Sequence, residues 1–176
     1  MAILKRHGIR FHLTGGVASV AYGEPRMTQD VDLVIDNQAT LDSLSGILAS
    51  LAESDFLYDG DEVRNSVQSL GMFQLMDREE CLKLDVYARE MIPGELGRSQ
   101  PAEIFAGVVL PIASRADAAL SKLIWVSKGS HKSRKDFRSI FRRTDDAERE
   151  FIRSFATDCG ISGLMAEVLA ESDELS

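Results

Sequence analysis

The stretch Leu13–Ile35 reads LTGGVASVAYGEPRMTQDVDLVI, with two glycines near its start and two aspartates near its end. Asp30 and Asp32 stand at the beginning of Val31–Ile35, a segment whose β-branched residues favour a strand. Side chains two apart on a strand share a face, with Cα atoms roughly 6.6 Å apart, so the two carboxylates project together. Such like charges repel unless a cation neutralises them, and Mg²⁺ prefers oxygen ligands. The pattern favours a divalent-metal site; a capped strand entrance beside a turn is the structural alternative.

A third carboxylate, Asp85, interrupts the strand-like segment Leu82–Tyr87. An acid is disfavoured in the middle of a strand and usually needs a reason to be there. If this strand lies beside Val31–Ile35, three carboxylates converge. They could then hold two metal ions ~4 Å apart and support in-line displacement at phosphorus. A charge that faces solvent from an edge strand is the alternative for Asp85 alone.

The glycine pair Gly15-Gly16 lies between a β-capable segment, Ile9–Thr14, and a short predicted helix, Val17–Tyr22. Without Cβ atoms, this turn would let a phosphate approach the backbone and the free N–H groups at the start of the helix. A tight strand-to-helix turn is the structural alternative. The spacing matches neither the G-x-G-x-x-G fingerprint nor a P-loop, because no Gly-Lys-Ser/Thr follows.

The remaining pattern predicts a mixed α/β chain with a helical C-terminal part. We predict a helix capped by Thr40 and running to about Glu53, another over Asp61–Gln68, and a third apolar strand candidate at Val108–Ile112. Two further strands, joined by a polar turn as a hairpin, are predicted at Met72–Met76 and Cys81–Tyr87. Four helices are predicted after residue 113, at Ala116–Ser127, Arg134–Arg143, Ala147–Asp158 and Leu164–Glu171. We therefore expect a core over residues 1–112 and a helical part over 113–176, packed as a single compact unit.

The composition is that of an acidic globular protein: 176 residues, 44% hydrophobic, 27% charged, with a net charge of −8. The segment Arg115–Arg153 is an exception, with eleven Lys/Arg against six Asp/Glu. Such a segment could receive a phosphate chain or an anionic partner, or form a solvated helical face with paired charges. No apolar run approaches the ~20 residues of a membrane span. Two cysteines without a site-like spacing fit a reducing compartment, so we expect a cytoplasmic protein.

Together, the glycine pair, the block Tyr22–Ile35 and the later Asp85 resemble the nucleotidyltransferase signature of the DNA polymerase beta superfamily. The pattern is most similar to the AbiEii-type branch, in which Gly-Gly precedes an Arg-x-Thr-x-Asp-x-Asp block. Ser121-Lys122-Leu123 and Arg134-Lys135-Asp136 resemble the Lys-Leu and Lys-Asp motifs of that branch. The resemblance covers about Ile9 to Phe141, and the Gly-Gly to Asp-x-Asp block is its specific part.

The resemblance implies a nucleotidyltransferase fold, an α+β arrangement with a mixed β-sheet flanked by helices. It implies that the three acids are catalytic and bind Mg²⁺ (or Mn²⁺) with a nucleoside triphosphate such as ATP, and that Asp85 accepts the proton of the attacking hydroxyl. It implies nucleotide contacts, or support for the Asp-x-Asp loop, from six further residues: Gly15, Gly16, Arg26, Thr28, Lys122 and Lys135.

The implied function is transfer of an NMP from an NTP to an acceptor hydroxyl of tRNA, protein or a small molecule, within a toxin–antitoxin or phage-defence system. Two departures from the family pattern favour the alternative of a non-catalytic nucleotide-binding or antitoxin-like protein of the same fold. Ser139 stands where a second acid is expected after Asp136, and Gly16 replaces a serine found in many relatives. A sugar-nucleotide glycosyltransferase with an Asp-x-Asp motif is a third reading, but that motif normally ends a strand and here begins one.

Overall fold

The computed structural model describes residues 1–24, 27–28 and 30–172, which fall into two compact units. The first unit comprises residues 1–17 and 27–113, and the second comprises residues 18–26 and 114–176. The strands are β1 Phe11–Thr14, β2 Asp30–Ile35, β3 Phe56–Leu57, β4 Met72–Asp77, β5 Lys83–Tyr87, β6 Gln100–Phe105 and β7 Val108–Ile112. The helices are α1 Ala2–Arg6, α2 Gly15–Tyr22, α3 Asn37–Asp42, α4 Leu44–Ala52, α5 Gly60–Gln68, α6 Glu95–Arg98, α7 Arg115–Ser127, α8 Lys132–Phe141, α9 Asp146–Asp158 and α10 Ser162–Ala170.

The seven strands of the first unit form one mixed sheet in the order β3-β4-β5-β2-β1-β7-β6. Strand β2 pairs antiparallel with β1 and parallel with β5, so it lies at the centre of the sheet. Strand β5 in turn pairs antiparallel with β4, and β1 pairs parallel with β7. The central position of β2, which begins at Asp30, places it between β1, the strand before Gly-Gly, and β5, the strand that carries Asp85.

The two faces of this sheet differ in chemistry because side chains alternate along each strand. One face carries Leu33, Leu84, Val86 and other apolar side chains that are almost fully buried. Side chains from α1 and α4 pack over it and enclose a cavity of about 40 Å³. The opposite face carries the acidic side chains of β2 and β5 together with their registered neighbours, and we call it the carboxylate face. The apolar face supplies the core that holds the carboxylate face in register.

The second unit is a group of helices packed around α7, which is buried along most of its length. Helix α7 contacts both α8 and α9, and α10 contacts α8 and α9. Phe137 and Ile140 of α8 and Ile152 of α9 are fully buried and form the centre of this unit. Helix α9 begins at a capping box, in which Asp145 and Glu148 each bond the other's backbone N–H.

The strand and helix predictions for the C-terminal helices, the β4–β5 hairpin and the Asp61–Gln68 helix are confirmed within a few residues. The predicted N-cap at Thr40 is wrong. Asp36 caps α3, its carboxylate accepting from the Ala39 N–H at 3.2 Å, and Thr40 is buried inside the helix. The helix is also interrupted at Ser43, after which α4 begins.

Four elements of the described residues have no counterpart in the sequence prediction: α1, β3, α6 and β6. Strand β6 contains Pro101 and few β-branched residues, and it pairs only with β7 at the edge of the sheet. Edge strands tolerate proline because one side of the strand needs no ladder hydrogen bond. None of the helices in the described ranges combines the length and the apolar character that a bilayer crossing requires.

Candidate active site

The carboxylates of Asp32 and Asp85 are brought together by the parallel pairing of β2 with β5. In this register Asp32 lies opposite Asp85, and Asp30 lies opposite Lys83. All four side chains therefore project from the carboxylate face. Asp85 is mostly buried, with 13% of its side chain exposed, whereas 52% of the Asp30 side chain is exposed. The cluster thus has a sheltered side at Asp85 and an open side at Asp30.

The Lys83 ammonium lies between two of these acids. Its Nζ atom is 3.2 Å from Asp85 Oδ2 and 3.5 Å from Asp30 Oδ1. The hydrogen bond to Asp85 is the largest cause of a raised Lys83 pKa, and the charges of Asp85 and Asp30 add to it. Lys83 is therefore a full positive charge within the acidic cluster.

The glycine turn packs directly against Asp32. Gly15 has a φ of +58°, and a Cβ built on it would lie 1.8 Å from Asp32 Oδ2. The Gly16 N–H donates to the same oxygen over 3.4 Å. A Cβ on Gly16 would lie 2.2 Å from Thr28 Oγ1, and Thr28 in turn donates to the Asp30 carbonyl. Both glycines are thus required for two reasons: the tight turn, and the close packing of the turn against the Asp-x-Asp segment.

Tyr87 is a fifth polar side chain of the carboxylate face. Two positions after Asp85 on β5, it lies on the same face as Asp32 and is exposed to the charge of that carboxylate. Burial, followed by the negative charge of Asp32 and Asp85, raises the pKa of the Tyr87 phenol to about 12. The phenol therefore stays protonated at neutral pH and is available to donate to the Asp32 carboxylate.

A buried His12–Glu95 pair lies further along the same face. His12 stands two positions before Thr14 on β1, and Thr14 is the registered neighbour of Asp32. Both side chains are at most 1% exposed, with His12 Nε2 3.4 Å from Glu95 Oε2. Glu95 Oε1 also accepts the backbone N–H groups of Met91 and Ile92. The pair anchors the segment after β5 against β1, beside the carboxylates.

The donor set of the cluster fits a divalent metal. Carboxylate oxygens are the ligands that Mg²⁺ prefers, and the Oδ1 atom of Asp85 is buried without a hydrogen-bond partner. Within the described ranges, however, no three His, Cys, Asp or Glu side chains already surround a single point that could hold a metal ion. Lys83 occupies the space between Asp30 and Asp85 instead.

The two lysines that the resemblance marked lie in the second unit and differ in setting. Lys122 of α7 is buried and has its Nζ atom 3.6 Å from Asp136 Oδ2 of α8. Lys135 is exposed and pairs with Glu24 over 3.0 Å. Arg26, the remaining residue of that set, lies outside the described residues.

The period-two alternation of β5 places Lys83 and Tyr87 on the face of Asp85 but indicates a role for neither. The available signal was their period-two spacing around Asp85, which puts three consecutive odd positions of β5 on one face. No sequence pattern marks His12 as a site residue, because its partner Glu95 is distant in sequence and lies in a four-residue helix.

The chain is similar to one known protein family and to several solved structures. The family model "Nucleotidyl transferase AbiEii toxin, Type IV TA system" matches residues 2–143. No curated protein matches the chain. A crystal structure of ANT(2")-Ia in complex with adenylyl-2"-tobramycin superposes with a TM-score of 0.61 at 15% identity, covering 90% of this chain and 93% of that one.

Two further solved structures share the architecture. An antigenic nucleotidyltransferase-like protein from Paracoccidioides brasiliensis gives a TM-score of 0.53 at 18% identity, covering 98% of this chain and 89% of that one. The lincosamide antibiotic adenylyltransferase LnuA, bound to lincomycin, gives a TM-score of 0.50 at 11% identity, covering 81% of this chain and 92% of that one. At these identities the likeness establishes a common fold, the nucleotidyltransferase fold.

Proposed function

Because the chain belongs to the AbiEii nucleotidyltransferase family, we propose that it transfers an NMP from an NTP to a hydroxyl group of an acceptor. The proposed metal ligands are Asp30, Asp32 and Asp85, which would hold Mg²⁺ or Mn²⁺. The register that sets Asp32 opposite Asp85 is the observation that carries the proposal. Two carboxylates opposite each other on paired strands repel, and this favours the binding of a cation between them. A cation also suits this reaction, because the negative charge that develops on the phosphate must be neutralised.

In the proposed reaction the acceptor oxygen attacks the α-phosphorus in line. The new P–O bond forms as the bond to the β-phosphate breaks, and pyrophosphate leaves with the electron pair. The hydroxyl proton passes to Asp85, whose buried Oδ1 has no competing hydrogen bond. A bound Mg²⁺ would supply charge neutralisation for the triphosphate and for the carboxylates.

The other residues of the site act on Asp32 and on the triphosphate. The Gly16 N–H holds the Asp32 carboxylate in place, and the protonated Tyr87 phenol lies on the same face. The turn Gly15-Gly16 lies against Asp32 without side chains of its own, and the proposed place of the β- and γ-phosphates is beside it. Thr28 fixes the Asp-x-Asp segment through the Asp30 carbonyl. Lys122 and Lys135, with Arg26, remain proposed nucleotide contacts on the strength of the family resemblance.

The family description, a toxin of a type IV toxin–antitoxin system, supports a biological setting for this reaction. We propose that the chain is the toxin of such a pair, that it acts in the cytoplasm, and that a second protein restrains it. RNA, protein and small hydroxylated compounds are the acceptor classes to compare. The toxin role predicts that the acceptor is a component that growing cells need.

The test is transfer of label from each of the four α-³²P-labelled NTPs, with Mg²⁺, to total RNA, to cell protein and to a small-molecule extract. We expect labelled acceptor and released pyrophosphate with at least one NTP. Asp32→Asn should lower the rate by about a hundredfold or more, because a lost metal ligand removes transition-state charge stabilisation. Asp55→Asn removes an exposed acid of the same unit and should leave the rate unchanged.

Transfer that persists in Asp32→Asn at the rate of Asp55→Asn would contradict the proposed site. Nucleotide binding without pyrophosphate release, with every acceptor class present, would instead favour the non-catalytic alternative.

A further inference from the structure

Lys83 stands out in the carboxylate face because it is a cation placed where a metal ion is proposed. Its ammonium contacts Asp85 at 3.2 Å and Asp30 at 3.5 Å, so it joins the two strands that carry the acids. The contact with Asp85 follows from the sequence, because Lys83 precedes Asp85 by two positions on the same strand. The contact with Asp30 follows from the strand pairing, because Lys83 lies opposite Asp30. The side chain is one-third exposed, so the ammonium can leave the cluster toward solvent without unfolding the strand.

The charges of the cluster explain what the ammonium does there. Three carboxylates in one small region would repel each other in a protein without bound metal. One positive charge between them offsets part of that repulsion and leaves the cluster with two net negative charges. A divalent ion that binds Asp30 and Asp85 must take the place of the ammonium, because two cations a few ångströms apart repel.

We propose that Lys83 is the resident counter-ion of this site and competes with the divalent metal for Asp30 and Asp85. The inference rests on the metal site of the proposed function. Metal alone binds weakly, because it must displace the ammonium. A nucleoside triphosphate that arrives with the metal gives the ammonium an alternative anionic partner, so metal and nucleotide bind better together than either binds alone.

The first measurement is Mn²⁺ binding to the nucleotide-free full-length protein, followed by the EPR signal of free Mn²⁺ at low salt. Lys83→Met should bind Mn²⁺ about tenfold more tightly than wild type, because a repelling positive charge is gone. Lys83→Arg keeps the charge and should bind as wild type does. The control Lys5→Met removes an exposed lysine of α1 in the same unit and should leave the affinity within twofold.

The second measurement is the melting temperature of the metal-free protein. Lys83→Met should melt lower than Lys5→Met, because its carboxylates lack their counter-ion, and saturating Mn²⁺ should remove the difference. Should Lys83→Met fail to fold, Lys83→Gln keeps a polar side chain of similar length and takes its place in both measurements.

The outcomes separate this inference from the site on which it rests. Equal or weaker Mn²⁺ binding by Lys83→Met, with binding abolished in Asp32→Asn, overturns the role of Lys83 and leaves the metal site standing. Mn²⁺ binding that is absent from wild type and Lys83→Met alike overturns the metal site and this inference together. Tighter binding by Lys83→Met, lost again in the double variant with Asp32→Asn, supports both.

Discussion

Gly15 is the residue with the least freedom to change in the described part of the site. Its φ of +58° is a conformation that residues with a Cβ rarely adopt, and the Asp32 carboxylate fills the space that a Cβ would need. We expect Gly15→Ala to lower the free energy of unfolding by about 1–3 kcal/mol. We also expect it to abolish NMP transfer, because the new Cβ displaces Asp32. Urea unfolding and the labelled-NTP assay measure the two effects.

Gly163 offers the matched control. It lies in α10 with nothing within 4 Å of its Cβ position. Gly163→Ala should raise the free energy of unfolding by about 0.5–1 kcal/mol, because alanine loses less backbone entropy in a helix. Equal effects of the two substitutions would show that the packing of Gly15 against Asp32 is unimportant.

The start of α3 provides a pH-dependent element. Asp36 caps this helix and accepts two hydrogen bonds from Arg10, at 2.6 and 3.1 Å. The bond from Arg10 is the largest cause that holds the Asp36 pKa below its ordinary value, against the opposing effect of burial. A carboxyl group with a lowered folded-state pKa stabilises the fold above its unfolded-state pKa. That contribution disappears as the pH falls through the folded-state pKa.

We therefore expect Asp36→Asn to lower the melting temperature at pH 7, by an amount that shrinks as the pH falls below the ordinary carboxyl pKa of 3.8. Asparagine still caps the helix but cannot pair with Arg10 as an anion. Melting curves of wild type and variant between pH 2 and pH 7 check the convergence. A difference in melting temperature that is the same at every pH would mean that the charge of Asp36 contributes nothing.

The same elements show how far sequence reasoning reaches. The alternation around Asp85 correctly separates its face from that of Leu84 and Val86, because period-two patterns are local. The family model confirms the resemblance that the Gly-Gly to Asp-x-Asp block indicates, and the solved structures confirm the fold. The Gly-Gly to Asp-x-Asp block predicts the fold of a superfamily, and many different sequences have that fold.

The errors arise where a tertiary contact decides the local structure. Thr40 has good N-cap chemistry, but the chain uses Asp36, four residues earlier, because Arg10 of the region before β1 pairs with it. Strand β6 has little intrinsic propensity and forms because β7 pairs with it. The ion pair of Lys83 with Asp30 requires knowledge of which strand lies beside β5, which no local pattern supplies.

At the scale of the whole molecule, the question is where the positive charge of this acidic chain is used. The basic segment Arg115–Arg153 contributes Arg134 and Arg138, and both pair with acids at the C-terminal end of the second unit. Glu171 accepts from both arginines, and Glu167 accepts from Arg134. Two of the eleven cations of this segment therefore hold α10 on α8 and are already engaged within the protein.

We expect Glu167→Gln/Glu171→Gln to lower the melting temperature by about 2 °C or more at 50 mM NaCl, with a smaller difference at 1 M NaCl. Salt screens the ion pairs of the wild type but has little to screen in the variant. Glu79→Gln/Glu150→Gln changes the net charge equally at two exposed acids and is the control. If the decrease in melting temperature is as large at 1 M NaCl as at 50 mM NaCl, the cause is the packing of the Glu167 and Glu171 side chains and not their charge.

The parallel pairing of β2 with β5 also determines when the chain can become active during its synthesis. A nascent chain that ends after β4 contains Asp30 and Asp32 but neither Asp85 nor its counter-ion Lys83. The three proposed metal ligands meet only after the ribosome has released β5 and the sheet has closed around β2.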